Sequence, residues 1–330
     1  MILFWVIVFI LSLVALVKGS DWLVQSAEKI GLSFGLSPFI VGVTIVAMGT
    51  SFPELISSLA ATIQGLTDVA AANVIGSNIA NILLIVGTSA IIGRKLIVSK
   101  SLIDLDLPLL SISTVLLLGI IWDKQVTFGE SLLVLITYGV YLLYTITHKE
   151  TGHSGELSEI SPEQLAPAPI KEDAAEIRLR PTLSINDFVL LAIGISALVL
   201  GAKYLVEALI HLSLALNIAT GIIAITAVAI GTSLPELFVS AKAVFAKKSD
   251  VALGNIFGSN VFNSLVVIGI PGLFGNLVVD SRTFAIGVPA MAFATLLFVI
   301  SGISRRIYVW EGAFYLALYT LFIAKIFNLF

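Results

Sequence analysis

Two short stretches hold residue types that could do chemistry: Gly49-Thr50-Ser51-Phe52-Pro53-Glu54 and, 182 positions later, Gly231-Thr232-Ser233-Leu234-Pro235-Glu236. Each offers a carboxylate, two hydroxyls and a helix-breaking proline inside an apolar segment. Such groups are costly in a lipid-spanning element, so their presence twice in matching context points to cations bound or moved within a membrane. At helical spacing Ala47, Ser51, Glu54, Ser58 and Ala61 share one face, with Thr50 one turn before Glu54. The second stretch repeats this with Ala229, Ser233, Glu236, Ser240 and Ala243, and Thr232 beside Glu236. A small polar face can line a watery cavity or meet a partner helix, but not lipid. Pro53 and Pro235 have no N–H, which frees the carbonyls of Gly49 and Gly231 and kinks the chain. Carboxylate, hydroxyl and carbonyl oxygens form a hard ligand set that suits calcium, or sodium with fewer ligands, and not transition metals.

Two further trios extend the pattern: Asn73, Ser77 and Asn81, then Asn255, Ser259 and Asn263, each spaced by four on one helical face. Gly76 and Gly258 permit close helix approach. The arrangement expected is a diamond of four half-broken helices, two from each copy, with Glu54 and Glu236 meeting near the midplane and Asn81 and Asn263 lining the site. Two ionised carboxylates are neutralised by one calcium ion or by more than one sodium. The empty site leaves two like charges in a low dielectric, a physical reason for coupled exchange over leak. The two glutamates are expected to titrate as a pair, so protons compete with cations. Asp68 and Asp250 recur at helix starts and read as N-caps; Asp106 and Asp280 read as interfacial, and His211 as solvated near a span end.

The elements that must position these residues are membrane helices. The chain has 330 residues, 58% hydrophobic and 12% charged, with a mean hydropathy of +1.07. A soluble domain is about 25% charged. Ten spans fit, near residues 1–18, 38–64, 69–92, 102–121, 127–147, 185–208, 217–245, 250–275, 283–302 and 307–328. The fold expected is all-α and polytopic, with helices 2 and 7 broken. The domains expected are residues 1–147 and 185–330, two five-helix repeats, joined by a Pro-rich polar linker over 148–184. The net charge of −3 and the lack of a basic stripe argue against nucleic acid; no cysteine is present, which removes disulfides and thiolate chemistry.

Between Thr44–Gly87 and Thr226–Gly269, 21 of 44 ungapped positions are identical, among them Glu, Asn, Ser and Pro that shared lipid solubility does not explain. Five spans separate the copies, an odd number, so they cross in opposite senses: an inverted repeat of the kind secondary transporters use. With the N-terminus outside, 14 Lys and Arg fall on the cytoplasmic side and 4 outside. The linker is then cytoplasmic and both termini face out.

These residues resemble the calcium:cation antiporter superfamily, specifically prokaryotic sodium/calcium exchangers. The family's paired alpha-repeats look like the two acidic stretches above together with Gly76-Ser77-Asn78-Ile79-Ala80-Asn81 and Gly258-Ser259-Asn260-Val261-Phe262-Asn263. The resemblance covers nearly the whole chain. It implies an integral protein of a prokaryotic cell (inner) membrane in which sodium influx drives calcium efflux electrogenically by alternating access, the first and sixth spans sliding across a fixed ligand core. The calcium ligands it implies are Thr50, Glu54, Thr232 and Glu236. The sodium ligands add Ala47, Ser51, Ser77, Ala229, Ser233 and Ser259. Several members carry Asp where this chain has Asn263; the site is one carboxylate poorer, and transport is expected not to require potassium.

The partners expected are calcium, sodium and the lipid bilayer, with no cofactor and no obligatory protein partner. The alternatives are a proton/calcium exchanger and a cation channel; duplicated, broken helices favour a carrier. An enzyme is not expected: neither a His-Glu-x-x-His motif nor a serine–histidine pairing is visible.

Overall fold

The computed structural model describes residues 2–98, 106–147, 182–215 and 233–326. The described residues are helical apart from turns and four very short strands. In chain order the helices are α1 (Ile2–Ser33), α2 (Pro38–Thr50), α3 (Phe52–Ile63), α4 (Thr67–Gly93), α5 (Leu107–Ile120), α6 (Phe128–Thr147). They continue with α7 (Ile185–Ala215), α8 (Leu234–Phe245), α9 (Ser249–Gly272), α10 (Thr283–Ile303) and α11 (Val309–Ile326). Among the described residues seven helices are long and apolar enough to cross a membrane, eight if the bent pair α2–α3 is one span. Most of the linker, the first half of the span expected over 217–245, Ala229, Gly231 and Thr232 lie outside the described residues.

Polarity is arranged for lipid as the solvent. The apolar window of α1 is only 17% buried and exposes Leu3, Ile10, Leu11 and Val14, whereas that of α9 is entirely buried, and α9 carries Asn255, Ser259, Asn260, Asn263 and Ser264. Polar groups sit where protein partners can satisfy them, and aliphatic side chains face outward. α1 and α7 pack against each other antiparallel. Lys29 near the end of α1 pairs with Asp187 at the start of α7 at 2.8 Å, while Trp5 stacks on His211 at 3.9 Å at the opposite end. Gly194 lets the helices approach, since a Cβ there would sit 2.8 Å from the Leu23 backbone nitrogen.

Both helices outrun the spans expected over 1–18 and 185–208. The polar residues that should have ended α1 are answered by partners: Asp21 by Lys242 at 2.8 Å, Glu28 by Lys248, and Lys29 by Asp187. His211 is exposed near the end of α7, as expected, and also stacks on Trp5. Asp68 and Asp250 lie in the first turns of α4 and α9, one residue inside the helix and not at its cap; there a carboxylate still complements the helix dipole. Asp106 is buried, 5% exposed. Asp280 is the residue that caps, its Oδ1 accepting from the Arg282 and Thr283 backbone N–H groups at 2.9 and 3.0 Å.

Two small ladders tie the halves together. Strands β1 (Lys95–Ile97) and β4 (Arg306–Tyr308) pair antiparallel, as do β2 (Gln125–Val126) and β3 (Leu277–Val278). The pairs Leu96–Ile307 and Leu277–Val126 are equivalent at an offset of 181 positions, and all four side chains are buried. The bond from Val98 N–H to the Arg305 carbonyl recurs from Val279 N–H to the Lys124 carbonyl, both 2.9 Å.

Candidate ion-binding site

Helices α2 and α3 meet at Ser51, where the chain bends by 41°. Ser51 leaves the helical region (φ −88°, ψ 6°), and Ser233 takes the same conformation (φ −88°, ψ 7°). Pro53 and Pro235 then sit in the first turn of α3 and α8, where a missing N–H costs nothing because first-turn N–H groups have no helical partner. The prolines therefore begin new helices instead of kinking continuous ones. Glu54 and Glu236 follow in those first turns, where the helix N-terminus favours negative charge.

The glutamates come together. Each is 1% exposed. Ser51 of the first copy donates from Oγ to Glu236 Oε1 of the second at 2.9 Å. Thr50 donates from Oγ1 to Asn255 Oδ1 at 3.1 Å and lies 3.5 Å from Ser259 Oγ, both on α9. Glu54 Oε2, Glu236 Oε2, Ser233 Oγ and both amide atoms of Asn81 and Asn263 are buried with no hydrogen-bond partner among the described residues. Lone pairs left this way inside a protein are unfavourable unless a ligand or water takes them. Lys242 does not neutralise either glutamate, because it pairs with Asp21.

Of the residues singled out in the sequence, Thr50, Ser51, Glu54, Glu236, Asn255 and Ser259 converge here. Ala47 is buried; its carbonyl accepts from the Ser51 backbone N–H at 3.0 Å and lies 3.2 Å from the Thr50 hydroxyl. Asn73 and Asn255 tie helices together: Asn73 Nδ2 donates to Ser58 Oγ and Asn255 Nδ2 to Ser240 Oγ, each at 3.0 Å. Ser77 is buried and lines a cavity of about 350 Å³ with Asn73, Gly76 and Asp68 of α4 and Tyr319 and Phe322 of α11. A Cβ on Gly258 would sit 2.2 Å from the Val43 carbonyl oxygen, so α9 and α2 lie in close contact there.

Sequence reasoning missed the π-helical turns. Asn81 lies in one (Ala80–Val86) and Asn263 opens another (Asn263–Val267). Such turns are frequent at functional sites because the extra residue re-aims a side chain. Asn78 and Asn260 stood in the recurring motif without a role of their own, and Ser264 was not singled out; all three are buried beside these turns. The recurrence of Asn at matching positions was the available signal, and it gave no direction for the side chain.

A polytopic helical membrane protein with two buried carboxylates and a shell of hydroxyl and amide oxygens is equipped to hold hard cations. A model of the family "Sodium/calcium exchanger protein" matches residues 4–147 and 186–327, and the chain belongs to that family. The sodium/calcium exchanger MaX1 of Methanosarcina acetivorans is 33% identical over 97% of this chain and 98% of its own. The inner membrane protein YrbG of Escherichia coli is 30% identical over 88% and 86%. The solved structure of the sodium-calcium exchanger NCX_Mj soaked with 10 mM Na+ and zero Ca2+ superposes with a TM-score of 0.78 at 31% identity, covering 98% of this chain and 99% of that one.

Proposed function

We propose that this protein exchanges sodium for calcium across a prokaryotic cell membrane by alternating access, electrogenically and in the direction of calcium extrusion. The observation that carries the reading is the burial of Glu54 and Glu236, one from each copy of the motif, with Ser51 of the first copy donating to Glu236 of the second. The names of the relatives supply the pair of ions. Thr50, Glu54, Thr232 and Glu236 would hold calcium. Ala47, Ser51, Ser77, Asn81, Ala229, Ser233, Ser259 and Asn263 would hold sodium or line its sites. Both ions are cargo and no resident cofactor is required.

The architecture we assign is ten spans in two inverted five-helix halves, residues 1–147 and 185–330, with both termini outside and the linker 148–184 cytoplasmic. Support comes from the duplicated ladders, from the matching backbone at Ser51 and Ser233, and from the family model, which matches in two blocks.

The test is calcium-45 uptake into sodium-loaded proteoliposomes. Wild type should accumulate calcium whether or not a protonophore is added. Glu54→Gln and Glu236→Gln, each nearly isosteric, should each abolish uptake while the protein still folds. Robust exchange by either variant would remove the reading.

A further inference from the structure

Beside the carboxylates lies a second buried cluster that no ligand role above uses. Asn78 on α4 donates from Nδ2 to Ser264 Oγ on α9 at 2.9 Å, with the Asn260 carbonyl at 3.5 Å and Met291 Sδ at 3.9 Å. Asn78, Asn260 and Ser264 are each at most 2% exposed. Ser264 directly follows Asn263 inside the π-helical turn Asn263–Val267. A hydrogen bond made by residue 264 therefore fixes the rotation of the turn on which the Asn263 amide is carried.

The tie is present on one side only. In the repeat, Asn260 is the counterpart of Asn78, Asn263 of Asn81 and Ile82 of Ser264. Isoleucine accepts no hydrogen bond, and Asn260 turns back on its own helix, donating to the Ile256 carbonyl at 2.7 Å. The turn holding Asn81 thus lacks the strut that the turn holding Asn263 has. A hydroxyl both donates and accepts, so the Asn78–Ser264 contact holds for either orientation of the amide.

We infer that Asn78 is a positioning residue for the sodium side of the exchange, acting across the two halves through Ser264 to hold the Asn263 amide toward the ion. The inference builds on the exchange reading above. An outer partner that orients a ligand is worth about tenfold or more in metal affinity. The strut is a neutral contact whose shortest leg runs to residue 264, so its loss lowers sodium affinity and leaves the glutamates in place.

The test uses the full chain, with sodium binding in detergent read as the rise in melting temperature when sodium chloride replaces choline chloride. Ser264→Ala removes one oxygen and should raise half-saturating sodium about tenfold. Asn78→Ala should do the same, and the double variant no more than either, because both delete one contact. Asn260→Ala should shift it about twofold at most. In proteoliposomes the KM for internal sodium should rise in parallel while the calcium KM stays near wild type. Equal shifts from Asn260→Ala and Ser264→Ala, or shifts that multiply in the double variant, would overturn the proposal. So would a fall in ion-free melting temperature with unchanged half-saturating sodium. If Asn78→Ala does not fold, Ser264→Ala decides. A wild type whose melting temperature ignores sodium removes the exchange reading itself, and is seen before any variant is compared.

Discussion

Glu54 and Glu236 are held differently although they occupy equivalent positions. Ser51 donates to Glu236, whereas the equivalent Ser233 hydroxyl has no partner among the described residues. Each carboxylate keeps one oxygen without a partner among the described residues, the atoms a cation would take. Lys242, the one basic residue in the two sequence spans that carry the glutamates, pairs with Asp21. Protonation removes the charge that attracts the cation, so exchange should fall as pH drops. Calcium-45 uptake at matched internal and external pH checks this; activity that stays flat down to about pH 6 would count against it. With Asn at both 81 and 263 the site has two carboxylates and no third. Uptake should therefore proceed in potassium-free buffer, and uptake that vanishes there would show that neutral amides do not decide the matter.

At the scale of elements the break at Ser51 matters more than the proline that signals it. Because Pro53 begins α3, the end of α2 and the start of α3 both reach the carboxylate region with open backbone groups. α9 is the column against which these ends are set. Gly254 and Gly258 let α2 lie directly on it: a Cβ at 254 would sit 2.5 Å from the Phe39 carbonyl oxygen. Gly258→Ala should therefore cost about 1–3 kcal/mol or force α2 away from α9, and impair exchange. Gly139→Ala, on the exposed face of α6 where a Cβ meets nothing within 4 Å among the described residues, should be tolerated far better. Melting temperatures and uptake of the two variants side by side provide the comparison, and equal damage at both positions would show that the close approach of α2 to α9 is not what the substitution disturbs.

The whole molecule is stitched by contacts that run between halves. The two ladders join residues 95–98 to 305–308 and 124–126 to 277–279. Ion pairs from Asp21 and Glu28 fix α1 to α8 and to Lys248 just before α9. Because the chain has no cysteine, each introduced cysteine is a single reporter of sidedness. Lys124→Cys should react with an impermeant maleimide added outside intact cells, and Lys95→Cys only after permeabilisation. Labelling of both from one side would overturn the proposed inversion. Asp21→Lys with Lys242→Asp should restore much of the stability that either change alone removes, by about 1 kcal/mol for a partly exposed pair.

The membrane class, the duplication and the two glutamates were readable in the residues themselves. Charge and proline are so unfavourable in a lipid-facing helix that their recurrence at one offset has few explanations. Helix ends were less readable, since α1 runs past Lys18 and Asp21 only because Lys242 comes from far along the chain to answer it. The direction of each polar side chain was not readable at all. Ser51 reaches a glutamate 185 positions away, and Asn78 a serine 186 away. Periodicity assigns a residue to a face of its own helix; which helix that face meets, and which lone pair is left open for an ion, is fixed only when the two halves pack.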